Sequence, residues 1–93
     1  MHATIRRYAG NTQLADTLAG ERQDVEDLIS AIPGFRAYYL IKSGDDSISV
    51  TVADDEAGAK KSNEVAAGFL RERHPDFAAS PPEILAGEVV VNA

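Results

Sequence analysis

The apolar residues of this chain switch between strand and helix spacing four times, and a turn divides one of the strand stretches in two. Residues 3–8 read as a short strand, with Ile5 its clearly apolar position and Tyr8 adding β-propensity. Gly10 and Asn11 punctuate it. Leu14, Leu18, Val25, Leu28, Ile29 and Ile32 then recur at helical spacing, with Glu21 in the intermediate position, so the pattern predicts one helix up to Pro33-Gly34. Asn11 or Thr12 can cap its first turn. Gly20 lies inside this pattern and reads as a tolerated surface glycine, the alternative being a kink.

Residues 35–42 form the strongest strand signal, Phe-Arg-Ala-Tyr-Tyr-Leu-Ile-Lys. Ser43-Gly44-Asp45-Asp46 is a turn. Residues 47–53 alternate, with Ile48, Val50 and Val52 on one face and Ser49 and Thr51 on the other, which predicts an antiparallel hairpin. Asp54-Asp55-Glu56 opens a second helix, where acids complement the positive end of the macrodipole. Val65, Ala66, Phe69 and Leu70 are its apolar stripe, and Pro75 ends it. Residues 76–82 read as a loop or a short extra turn. Residues 83–91 are the last strand, with a bulge expected at Gly87.

The order β-α-β-β-α-β is the split βαβ arrangement, so the expected fold is α+β, ferredoxin-like, with a four-stranded antiparallel sheet. The length of 93 residues suits a single domain spanning 1–93. Two helices can cover only one face of such a sheet. Yet Phe35, Ala37, Tyr39 and Ile41 oppose Tyr38 and Leu40, and Ile84, Ala86 and Val90 oppose Leu85, Val89 and Val91. Both faces carry apolar residues, so a second copy of the chain is expected against the uncovered one.

Composition narrows the classes. Hydrophobic residues at 44% and charged residues at 26% describe a globular chain. With no cysteine there is neither a disulfide framework nor a thiolate metal site. Residues 1–8 carry no signal-peptide pattern and no apolar run is long enough for a membrane helix, so a cytoplasmic protein without membrane association is expected. The formal charge of −6 opposes nucleic-acid binding.

The run Ile32-Pro33-Gly34-Phe35 leading into Tyr38-Tyr39-Leu40 is the first of several short motifs with a known likeness. The others are Val50-Thr51-Val52, the helix entry Asp54-Asp55-Glu56-Ala57-Gly58-Ala59, the stretch Ser62-Asn63-Glu64, and the closing Gly87-Glu88-Val89-Val90-Val91. Together they resemble uncharacterised small members of the antibiotic-biosynthesis-monooxygenase-like superfamily of dimeric α+β barrels. The resemblance implies two sheets packed face to face in a homodimer, and a pocket between helices and sheet for a small apolar or aromatic ligand. It also implies two alternatives, a cofactor-independent monooxygenase acting on a phenolic or quinone-like substrate, and a haem-binding protein. Members with those chemistries typically use a pocket tryptophan, and this chain has none. No cofactor or metal is expected.

Five residues are candidates for the ligand site. Asn63, if inward, polarises a substrate oxygen; otherwise it is a plain helix-side residue. Tyr38 and Tyr39 project to opposite faces, so one lines the helix side and the other meets the partner sheet. Arg6 shares a face with Tyr8 and, if inward, binds an anionic group bidentately; the alternative is exposure at a strand end. His74 is either a general base or haem ligand, or a helix-end histidine favoured by the dipole. His2 lies in a terminus expected to be loosely ordered.

Overall fold

A computed structural model describes residues 1–93, and its elements follow the order β1 (His2–Tyr8), α1 (Thr12–Ala19), α2 (Arg22–Ser30), β2 (Phe35–Ser43), β3 (Asp46–Ala53), α3 (Glu56–Arg73), α4 (Pro75–Ala78) and β4 (Glu83–Glu88). The four strands form one antiparallel sheet in the order β2-β3-β1-β4. This is the expected ferredoxin-like α+β arrangement, with the helices on one face. No helix is long and apolar enough to cross a membrane.

The first helical region differs from the expectation of one helix. It breaks at Gly20–Glu21, where the backbone turns more tightly: Gly20 N donates to Thr17 O at 3.2 Å and Glu21 N to Leu18 O at 3.0 Å. The break lets α2 change direction, so that Ile29 still reaches the core while α1 buries Leu14, Ala15 and Leu18. Gly20 therefore lies at a kink, the alternative reading, with an ordinary right-handed backbone (φ −72, ψ −15) at an exposed position. Of the two proposed caps, Asn11 serves, its side chain accepting from Leu14 N.

The hairpin turn is Gly44-Asp45, between the paired residues Ser43 and Asp46. Gly44 has φ +58, a value that glycine adopts readily at the first central position of such a turn. The sheet irregularity falls between Phe35 and Ala37, whereas the register through Gly87 is continuous, so the expected bulge lies elsewhere. Regular pairing of β4 stops at Glu88, short of residue 91. His2 is paired with Ala53 and Glu88 inside β1, which removes the expected looseness at that position.

The strand registers assign every side chain to a face. Thr4, Arg6 and Tyr8 of β1 lie opposite Thr51, Ser49 and Ser47 of β3, and all six are buried beneath the helices. Tyr38 and Leu40 of β2 extend this face. The apolar set of β3, Ile48, Val50 and Val52, is on the other side. There Tyr39, Val50, Ile5 and Leu85 form one continuous row across all four strands. Nothing in the chain covers that face, and Tyr39 and Leu85 are each 60% exposed.

Candidate functional site

Helix α3 supplies the roof of the site because its first half is built of small residues. Gly58, Ala59 and Ser62 are buried against the sheet. At Gly58 a side chain has no room: a Cβ there would sit 2.8 Å from the Ala53 Cβ and 3.0 Å from the Pro33 carbonyl oxygen. This close seat brings Ser62 and Asn63 over the middle of β1 and β3.

Arg6 rises from β1 into that space and is 1% exposed. Its Nε donates to Ser49 Oγ at 2.8 Å and its Nη2 to Thr51 Oγ1 at 2.8 Å. Its Nη1 donates to Ser62 Oγ at 3.1 Å and to Asn63 Oδ1 at 2.9 Å. Thr4 Oγ1 donates to the same Asn63 oxygen at 3.1 Å. All these acceptors are neutral, and no carboxylate pairs with the buried guanidinium. Burial lowers the pKa of Arg6 from its ordinary value, with the phenols of Tyr8 and Tyr38 opposing the shift. Burial also raises both phenols above 10.0 while the Arg6 charge pulls them down, so they remain protonated at neutral pH.

The network fixes the orientation of Asn63. An arginine N–H can only donate, so the atom facing it is the amide oxygen. That oxygen already has two donors. The amide nitrogen has no protein acceptor and is reachable from solvent.

Beside this network lies a cleft of 330 Å³, whose lining includes Arg6, Tyr8, Asn63, Leu70, Arg71 and Phe77. Its outer wall is the stretch from Phe77 to Pro82, and Ile84 of β4 closes the far side. By contrast, the space enclosed between α1, α2, α3 and the sheet holds only 30 Å³. There Tyr8, Leu14, Leu18 and Leu70 form a packed apolar core.

The five sequence candidates therefore separate. Arg6 and Asn63 meet at 2.9 Å and both line the cleft. Tyr38 is on the same side of the sheet, in the wall of the small core cavity. Tyr39 is on the open face. His74 joins α3 to α4, with its Nε2 at 2.7 Å and 3.1 Å from the Glu21 carboxylate and its ring stacked on Phe77 at 5.4 Å. It does not line the cleft. Sequence reasoning missed Ser49, Thr51 and Ser62 as partners of Arg6, and Arg71 and Phe77 as cleft residues. The run of hydroxyl residues in β3 was the available signal: alternate Ser47, Ser49 and Thr51 form a polar strand face. No group of three or more histidines, cysteines or carboxylates is positioned to hold a metal ion.

No family model matches the sequence, and no curated protein matches it. Solved structures do match over nearly the whole chain. A protein of unknown function from Nitrosomonas europaea, NE2512, is 23% identical with a TM-score of 0.74, covering 99% of this chain and 91% of its own. MhuD, solved as a point mutant with two manganese protoporphyrin IX bound per active site, is 16% identical with a TM-score of 0.71, covering 100% and 98%. A monooxygenase from Streptomyces coelicolor, ActVA-Orf6, in complex with nanaomycin D, is 13% identical with a TM-score of 0.63, covering 98% and 92%. At these identities the likeness is one of fold, the ferredoxin-like α+β arrangement of one four-stranded antiparallel sheet with its helices on one face.

Proposed function

We propose that the protein is a homodimer that binds a small apolar or aromatic molecule in the cleft between α3, α4 and the sheet. The observation that carries the reading is the cleft: 330 Å³ of space beside a satisfied buried polar network. That volume lies within the usual range of small-molecule sites, and mostly apolar walls with a few fixed polar groups are their usual lining. The open apolar face of the sheet supports the dimer, since a continuous row from Tyr39 to Leu85 loses contact with water when a second sheet packs on it.

Two measurements test this. In an NMR titration with naphthol, naphthoquinone and naphthoate, the amides of Asn63, Leu70, Ala78 and Ile84 should shift with at least one probe. A spectrum unmoved by the whole panel refutes ligand binding here. Light scattering should give a mass of two chains, and a value near 9.9 kDa refutes the dimer.

A second reading, cofactor-independent oxygenation of a phenolic or quinone-like molecule, is supported by Asn63, which lines the cleft and whose amide nitrogen has no protein acceptor. It is also supported by the fold shared with the nanaomycin-bound monooxygenase. Oxygen uptake with anthrone would support it, and a flat trace would remove it. The haem reading draws no support from His74, whose Nε2 is engaged by Glu21.

A further inference from the structure

The chain carries nine Lys and Arg against fifteen Asp and Glu. Seven of the nine cations form an ion pair with a carboxylate. The two that do not are Arg6 and Arg71, and both line the same cleft. No Asp or Glu lines it. In a protein of net charge −6, the one cleft with a buried cation has therefore been kept clear of every acid.

The physical consequence is a local positive field. A guanidinium 1% exposed is barely screened by water, and its neutral hydroxyl and amide partners bond it without cancelling its charge. The nearest free donors have the same preference. The Asn63 amide nitrogen lacks a protein acceptor, and Arg71 stands at the edge with its fork unpaired. Four of Arg6's five N–H groups are already used. An incoming anion is thus held chiefly by the Arg6 charge, with the Asn63 amide and Arg71 supplying hydrogen bonds. Of the remaining walls, Leu70, Phe77, Pro81 and Ile84 are apolar, and Tyr8 and Ser80 carry hydroxyls.

We propose that the ligand of this cleft is a small aromatic carboxylate, its anionic oxygens toward Arg6, Asn63 and Arg71 and its ring against Phe77 and Ile84. The inference rests on the reading of the cleft as a ligand site and narrows it to one charge class.

The test compares naphthoate with its neutral counterpart naphthalenemethanol by calorimetric or NMR titration, on the wild-type chain and on Arg71→Gln. Arg71 is exposed, so this variant keeps the fold. Naphthoate should bind at least about tenfold more tightly than the alcohol. Arg71→Gln should weaken naphthoate several-fold and leave the alcohol unchanged. Equal affinity for the two probes overturns the carboxylate assignment while leaving ligand binding intact, as does a variant that weakens both alike. Absence of binding by either probe, together with a silent naphthol and naphthoquinone titration, overturns the ligand site itself.

Discussion

Replacing Asn63 by alanine isolates the one acceptor shared by two buried donors. In the native chain Asn63 Oδ1 accepts from Arg6 Nη1 at 2.9 Å and from Thr4 Oγ1 at 3.1 Å. Thr4 is fully buried and Arg6 nearly so. Asn63→Ala leaves the Thr4 hydroxyl without an acceptor, which costs about 1–3 kcal/mol, and removes a bond to a charged donor, worth about 1.5–3 kcal/mol. Ser62 still holds the other proton of Nη1, so the guanidinium is not orphaned. The vacated volume also adjoins the cleft, from which a water can enter and recover part of the loss. These offsets leave an expected destabilisation of about 2–4 kcal/mol. For a domain of this size that lowers the melting temperature by roughly 10–25 °C.

Urea denaturation followed by far-UV circular dichroism reads this directly, and Asn63→Asp is the control. A carboxylate oxygen can occupy the same position, so the aspartate variant should recover most of the lost stability. It would also offset one of the two positive charges at the cleft. If Asn63→Ala costs under about 0.5 kcal/mol, the network is already hydrated and the argument from burial fails. If the aspartate variant is as unstable as the alanine one, Asn63 acts through packing and not as an acceptor.

Gly58→Ala should destabilise by about 1–3 kcal/mol despite alanine's better helix propensity, because the added methyl meets the Ala53 Cβ at 2.8 Å; a variant as stable as wild type in urea would show that α3 can lift from β3. The double variant Tyr39→Lys/Leu85→Lys places like charges at two exposed positions of the row across the open face. It should run as a single chain by light scattering with an unchanged dichroism spectrum, and a mass that stays at two chains would exclude that face as the interface. The Asp46 carboxylate accepts from the Gly10 backbone N–H and from Arg7, which hold its pKa below 3.8. A depressed carboxylate contributes stability above the unfolded-state value and loses it as pH falls through the folded one. Asp46→Asn should therefore flatten the stability profile just below pH 3.8, and an unchanged slope there would mean that the tie adds nothing.

Element order was legible in the sequence because strand and helix spacings differ and Pro33-Gly34, Gly44 and Pro75 separate them. The joint at Gly20–Glu21 was not legible. Leu14 and Leu18 continue in phase into Val25 and Ile29, so periodicity alone gives one helix. At the break Glu21 reaches His74, 53 residues away in the chain, a contact that periodicity does not carry. Arg6 and Asn63 were visible as candidates. What could not be read was that they share a hydrogen bond, because the register of β1 on β3 and the close seat of Gly58 decide it together. Arg71 looked like an ordinary basic residue near a helix end. Only the accounting of ion pairs in three dimensions sets it apart.

The deepest surprise lies in β3, where alternation identifies a strand but not which face the helices take. Burying Ile48, Val50 and Val52 under the helices would follow the hydrophobic rule. The opposite is observed, and Arg6 supplies the reason. A guanidinium enclosed by helices needs oxygen acceptors on several sides, and Ser49 and Thr51 meet it from the neighbouring strand at 2.8 Å each. A slip of one residue between β1 and β3 would turn valines toward Arg6 and hydroxyls toward the open face, leaving a buried charge without partners. The register is thus enforced by polar satisfaction on one side of the sheet. The same choice sends the valines and isoleucines outward, so the network that gives the cleft its charge also creates the apolar face proposed to hold the dimer.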